Sequence, residues 1–372
     1  MTRVEQITLR EVRLPLREPF RISSGEVKER RITLLELRDV DGTTVWSEGV
    51  AGELPNYSPE AIDTAWIAIS EWVAPRVIGR EFGHPSEVFA VLEQDFRGNL
   101  MAKAAVEMGM WVLEAQRQNM PLARLLGGTR DAIATGISLG IQPSPEALVA
   151  KVTAAHAEGY RKVKIKIAPG QDVAYIAAAR EALPTAPLMA DANNAYTLAD
   201  MDVMKALDAF HLMMIEQPLA WDDIYQHAAL QRELRTPVCL DESITSLDKA
   251  REMVTLDAGR IVNIKPGRVG GFASSLAIHD YCVSNNIPVW CGGMLESGVG
   301  RACNVALASL PGFTKPGDLS PSARYWARDL VTPEWTMTAD GMVPVPLHAP
   351  GLGVTVDVDR IEDLTARVVV LR

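Results

Sequence analysis

Cysteine is scarce in this chain of 372 residues: there are four, Cys239, Cys282, Cys291 and Cys303. They form no CxxC pair and no Cys/His ligand spacing, which excludes a disulfide scaffold or a thiolate zinc site and fits thiols buried in a reducing cytoplasm. No run of about eighteen apolar residues occurs, and Met1 to Gln6 carry no apolar signal core, so a soluble cytoplasmic protein with no membrane contact is expected. Positive charge is short as well. Lys and Arg total 37 against 47 Asp and Glu, a formal net charge of −10, which argues against nucleic acid as a partner. It leaves room for an anionic small substrate, because a metal and a few lysines can reverse the field inside one cleft. The six histidines show no metal spacing, and no dinucleotide fingerprint is present.

What is present divides in two. Residues 1–125 read as an α+β unit with strands over Val4–Pro15 and Arg31–Val50, the second turning at Asp41-Gly42. Helical patterns follow, one opening at Ser58-Pro59 and one carrying Met101–Trp111. Residues 126–340 change texture. Short apolar strands at Ala134–Ile141, Lys162–Ala168, Pro187–Asn193, His211–Pro218, Pro237–Ser243, Arg260–Pro266 and Pro288–Met294 alternate with helical segments. Alternation at that spacing implies βα units and a parallel sheet, and without a dinucleotide motif a closed barrel is favoured over a doubly wound sheet. The tail, 341–372, is expected to return to the first domain.

The barrel strands end on charge. Lys166, Asp191, Glu216, Asp241 and Lys265 follow one another at intervals of 25, 25, 25 and 24 residues, each where an apolar run stops. In a parallel barrel those ends share one mouth, so all five side chains must meet there. One carboxylate at a strand end is an ordinary surface group. Three in register, within Ala190–Asn193, Ile215–Pro218 and Leu240–Ser243, would repel one another unless a cation holds them. Oxygen ligands alone suit a hard ion, magnesium first and manganese second, with another divalent cation as a substitute.

An alternating Lys/Val strand is usually an exposed edge. Here the period of two puts Lys164 and Lys166 on one face and Val163, Ile165 and Ile167 on the other. The apolar face must pack on the outer helices, which turns the lysines inward. With Ala134–Ile141 as strand one, Lys166 and Lys265 close strands two and six, on opposite walls of an eight-stranded barrel. A substrate on the metal then faces an amine on each side. Lys164 and desolvation lower the Lys166 pKa toward the working range, as a base requires. Such parts suit removal of the proton next to a carboxylate, whose ene-diolate the metal stabilises.

With those residues in hand, the chain resembles the enolase superfamily, muconate-lactonizing subgroup, over nearly its full length. The resemblance implies a modified TIM barrel, (β/α)7β, under an α+β capping domain. It also implies a divalent metal, Mg2+, on Asp191, Glu216 and Asp241, Lys166 and Lys265 as acid/base groups, Lys164 assisting, and Asn193 and Glu242 behind them. Ile167–Gly170, Asn263–Gly271, Gly292–Arg301, Gly317–Ser320 and Arg324-Tyr325 are similar to the branch of N-acylamino acid (N-succinylamino acid) racemases and o-succinylbenzoate synthases. In that branch Ser138, Gly293 and Met294 would contact a small carboxylate substrate, and Phe20 and Tyr57, on loops Glu18–Gly25 and Gly49–Ser58, would read its side chain. The Gly292-Gly293 pair could be a plain turn, but at the end of strand seven close approach to substrate is the better reading. Glu296 and Arg301 are assigned no role. Val112 departs from the pattern, which has an aspartate there. A racemase with synthase activity is the first reading. A synthase alone is the second, with muconate cycloisomerase or dipeptide epimerase behind it, and a catalytically silent scaffold is the alternative outside enzymes. The family suggests a homo-oligomer.

Overall fold

The computed structural model describes residues 1–22 and 25–372; Ser23 and Ser24, in the expected mouth loop, lie outside the described residues. Apolar residues at alternate positions, such as Ile7, Leu9, Ile32 and Leu34, write a sheet with one buried face. Its strands β1 (Val4–Ile22), β2 (Gly25–Asp39) and β3 (Thr44–Gly49) pair antiparallel. Helices α1 (Ile62–Ala68), α2 (Ser86–Glu93), α3 (Leu100–Arg117) and the single turn α4 (Leu122–Leu125) follow. After β4 (Ala132–Ala134) come β5 (Ile137–Leu139), α5 (Pro145–Ala157), β6 (Val163–Lys166), α6 (Val173–Ala182), β7 (Leu188–Asp191) and α7 (Met201–Asp208). The pattern continues through β8 (Ile215–Glu216), α8 (Tyr225–Glu233), β9 (Val238–Leu240), α9 (Leu247–Leu256), β10 (Ile261–Ile264) and α10 (Phe272–Ser284). It ends with β11 (Val289–Cys291) and α11 (Gly298–Ala308). Short strands β12 (Val331–Thr332), β13 (Met342–Pro344) and β14 (Thr355–Val356) lead to α12 (Val358–Leu364) and β15 (Thr365–Leu371), which pairs with β1.

Strands β5 to β11 form one parallel sheet in sequence order. Residues 313–318 stand between its two ends. Phe313 bridges Val289 on β11, Gly317 bridges Thr135 beside β5, and the Gly136 amide donates to the Gly317 carbonyl at 2.7 Å. The fold is thus a curled parallel barrel beneath an antiparallel capping sheet.

Two expectations change. The described part of Glu18–Gly25 is strand, because β1 and β2, after an irregularity between Pro15 and Phe20, pair again at Phe20↔Val27 and Arg21↔Glu26. The break in apolar alternation at Glu18-Pro19 hid a ladder made by the backbone alone. The first helix begins not at Ser58-Pro59 but at Ile62, where the Ala61 amide donates to Thr64 Oγ1 at 2.9 Å. Glu60 instead reaches α3, accepting from the Met101 and Ala102 amides at 2.8 and 3.0 Å. Val112 is buried in α3 without strain on the helix.

Carboxylates of the capping domain dock it on the barrel by capping barrel helices. Glu107 on α3 accepts from the Phe272 and Ala273 amides at 2.7 and 2.9 Å, at the start of α10. Gly271 must be glycine there: φ is +116°, and a Cβ would meet Glu107 Oε2 at 2.1 Å. Glu48 on β3 does the same for α11, accepting from the Gly300 amide at 2.9 Å and from the Ser297 hydroxyl at 2.5 Å.

The barrel interior is packed by Met189, Met214, Cys239, Ile261 and Trp290. Against that layer Lys162 lies with Nζ 3.5 Å from the Trp290 ring centroid and 3.0 Å from Asp318. Lys164 meets the other oxygen of Asp318 at 2.5 Å. Burial opposes the charge on Asp318, yet the two lysines hold its carboxyl well below the usual range.

Two outcomes follow. Asp318→Ala leaves two buried ammonium groups without this carboxylate and is expected to cost about 3–5 kcal/mol in denaturant unfolding; a loss below about 1 kcal/mol contradicts the role given to Asp318. Burial pushes the Glu107 carboxyl up to about 7 from an ordinary 4.5. Within that window the folded chain keeps a proton that the unfolded chain has released, so stability falls as pH rises. Glu107→Gln is expected to flatten part of that fall between pH 5 and 7, by about 1–3 kcal/mol, and unfolding slopes identical to the parent's would contradict it.

Candidate active site

Alternation along β6 decides which side chains face inward. Val163, Ile165 and Ile167 are buried in the main core, against the outer helices, while Lys162, Lys164 and Lys166 enter the barrel. Lys166 and Asp191 are register partners across β6 and β7, and Asp191 and Glu216 across β7 and β8. Asp241 and Lys265 directly follow β9 and β10. The five charged strand ends therefore share one rim, and all five are buried.

Each carboxylate is met by cations of the chain. Lys166 Nζ lies 2.6 Å from Asp191 Oδ2 and 2.6 Å from Asn193 Oδ1. Asn193 supports this from a left-handed backbone with φ +41°, and its Nδ2 donates to Glu242 at 3.2 Å. Lys164 Nζ bridges Asp191 and Glu216, 3.1 Å from each. Lys265 Nζ lies 2.7 Å from Asp241 Oδ2 and 2.9 Å from the Tyr57 hydroxyl, and 4.5 Å from the centroid of that ring. Arg268 donates to the other oxygen of Asp241, and Asn263 to Glu216 at 2.7 Å.

Electrostatics sort these groups. Burial holds Lys166 below the usual lysine range, and Lys164 adds to that against the pull of Asp191. Lys164, by contrast, is raised: burial is outweighed by Asp318, Glu216 and Asp191. Lys265 is also raised, with burial overcome by Tyr57, Glu216 and Glu242. Burial and then Asp191 push the Glu216 carboxyl up, whereas the lysines draw Asp191 down against its burial.

Among the described residues no three acidic, histidine or cysteine groups are arranged as a ready-made metal cage. Ammonium groups stand on the oxygens. The donor set nevertheless fits a hard cation: three carboxylates from consecutive strand ends, with no histidine among the described residues of the rim.

Above the rim a cavity of about 280 Å³ opens between barrel and cap. Lys164, Lys166, Lys265 and Asn193 form its floor. Ser138, Gly293 and Met294 line it from the barrel, and Phe20 and Tyr57 from the cap. Ser138 Oγ is buried there and has no hydrogen-bond partner among the described residues. Asp191, Glu216, Asp241 and Glu242 are reached only through the lysines and asparagine above them. Gly292 differs from its neighbour: a Cβ there would meet Lys265 Cε and Asn263 Oδ1 at 2.5 Å, so its smallness makes room for the lysine. No Glu296–Arg301 ion pair forms among the described residues; Arg301 donates to the Ser320 carbonyl and lies over Tyr325.

Sequence reasoning missed Lys162, Asp318, Arg268 and Asn263. Arg268 had a signal, a cation three residues after Lys265. Lys162 had one too, extending the period of two below Lys164. Asp318 had only its place in the Gly317–Ser320 segment, because it lies in no strand and no apolar run announces an eighth position.

Known proteins agree with this architecture. Residues 4–127 match the mandelate racemase / muconate lactonizing enzyme N-terminal domain, and residues 147–360 the enolase C-terminal domain-like family. An o-succinylbenzoate synthase of Geobacillus kaustophilus is 47% identical over 365 residues, covering 97% of this chain and 96% of its own. An N-succinylamino acid racemase of Thermus thermophilus is 47% identical over 363 residues, covering 98% and 97%. A crystal structure of an enolase superfamily member from Listeria innocua superposes with a TM-score of 0.96 at 39% identity, covering 100% of this chain and 99% of that one. Enzymes of that superfamily typically use a divalent metal ion. With both of its domains matched and its charged rim assembled, the chain belongs to the enolase superfamily.

Proposed function

We propose that this chain is an isomerase and lyase that removes the proton α to a substrate carboxylate, racemising N-succinylamino acids and also forming o-succinylbenzoate by dehydration. The observation that carries it is the pair of amines, Lys166 and Lys265, set on the two outer carboxylates of the rim and lining one cavity. In sheet order, β6 and β10 have three strands between them, so the amines flank whatever lies over Glu216. Names among relatives of equal identity support both reactions.

Asp191, Glu216 and Asp241 would hold the cation, magnesium first. When bound, it supplies a Lewis acid that stabilises charge growing on the substrate carboxylate. The chain's own groups do the rest. Lys166 is the amine that burial disposes toward neutrality, and Asn193 fixes its position for accepting the α-proton. Lys265, held by Asp241 and Tyr57, delivers or removes a proton at the opposite face. Lys164 stays charged and offsets the negative rim. Water is kept out by Phe20, Tyr57 and Met294 at the mouth.

Deuterium exchange at the α-carbon of each enantiomer of an N-succinylamino acid, followed by proton NMR, tests this. Lys166→Ala should lose exchange of one enantiomer by about 10²–10⁴-fold while retaining some of the other, and Lys265→Ala should show the reverse. If both variants lose the same enantiomer and keep the other, the amines share a wall and the proposal fails.

A further inference from the structure

Three guanidinium groups line the cavity, and they are not equivalent. Arg31 is saturated, with ion pairs to Glu11, Glu53 and Asp63 at 2.7 to 3.0 Å. Arg301 is spent on the Ser320 carbonyl and the Tyr325 ring. Arg30 is 5% exposed, yet among the described residues no carboxylate lies within 4.0 Å of it. Its Nη2 donates to the Val50 carbonyl at 3.1 Å and the Ala51 carbonyl at 3.5 Å, and its Nε is buried without a partner. Glu48, Glu296 and Glu53 act on it only through space, and burial outweighs their pull. Glu48 gives its oxygens to the start of α11, and Glu296 accepts from the Met294 amide at 2.8 Å.

A buried guanidinium without a carboxylate carries a desolvation cost that a bound anion offsets. Its place on β2, in the roof, separates it from the lysine floor. Arg30 lines the same cavity as Lys164, Lys166 and Lys265, so a substrate held at the floor by its reacting carboxylate shares that cavity with the guanidinium. The two activities named among the relatives share a succinyl group, and so a second carboxylate.

We propose that Arg30 binds the distal, succinyl carboxylate of the substrate and so selects dicarboxylates over singly charged N-acyl analogues. The inference rests on the function proposed above for its substrate class. A guanidinium whose Nη1 donates to no protein acceptor among the described residues suits charge-assisted donation to a carboxylate.

Calorimetric titration of the Mg2+-supplemented protein with N-succinylglycine and with N-acetylglycine, both achiral, tests binding apart from turnover. The wild type is expected to bind the succinyl ligand about 10- to 100-fold more tightly, as charge-assisted hydrogen bonds warrant. Arg30→Met should collapse that ratio toward one, and Arg30→Lys should keep part of it. In turnover, the Arg30→Met loss should fall on KM for N-succinyl substrates more than on kcat. Equal binding of both ligands by the wild type overturns the proposal, whether or not a variant folds. So does a parallel weakening of both ligands in Arg30→Met, which would mark Arg30 as a tie between β2 and Val50. Failure of the racemase reading looks different: ligand discrimination would persist with no α-exchange of any substrate.

Discussion

Three carboxylates buried side by side cannot stay ionised in a protein interior unless positive charge meets them there. In this chain that constraint organises the barrel mouth. Asp191, Glu216 and Asp241 draw in Lys164, Lys166, Lys265 and Arg268, and Asp318 in turn holds Lys164 and the deeper Lys162. Under the proposed function the same arrangement serves chemistry, because a cation arriving at the carboxylates would take over compensation that the lysines otherwise provide. An amine relieved of that duty, and buried, is disposed to exchange protons.

The capping domain depends on a related device. Its carboxylates Glu48 and Glu107 satisfy amides at the starts of α11 and α10, so the roof is fastened to the helices that follow β11 and β10. Those are the strands that present Gly293 and Lys265 to the cavity. The cap supplies Tyr57, whose hydroxyl joins Lys265 and Asp241, and Arg30, which forms no carboxylate ion pair within 4.0 Å among the described residues. Roof and floor thus share one electrostatic network across the cavity.

Much of this was legible in the sequence because a βα unit returns the chain to the same rim at a nearly fixed interval. The 24- and 25-residue steps from Lys166 to Lys265 reflect that geometry, and the period of two in β6 carries the inward turn of the lysines. Other parts left no such trace. Asp318 lies on a segment that joins the barrel by isolated bridges, with no apolar run to mark it. The outer part of the β1–β2 ladder is made by backbone pairing beneath exposed, charged side chains, so its residues read as loop. Glu48 and Glu107 act on amides far away in sequence, and nothing local distinguishes them from surface glutamates on a strand and a helix. Gly292 looked like a substrate-side glycine, but the atoms it accommodates belong to Lys265 and Asn263.

In the proposed function the carboxylate row exchanges the chain's own ammonium groups for a divalent cation. Electron paramagnetic resonance of Mn2+ titrated into the purified protein measures this without any substrate. One bound ion per chain is expected, with affinity severely reduced in Glu216→Gln, since Glu216 is the middle of the three carboxylates. Absence of bound Mn2+ in the wild type, or binding that survives Glu216→Gln unchanged, would contradict it.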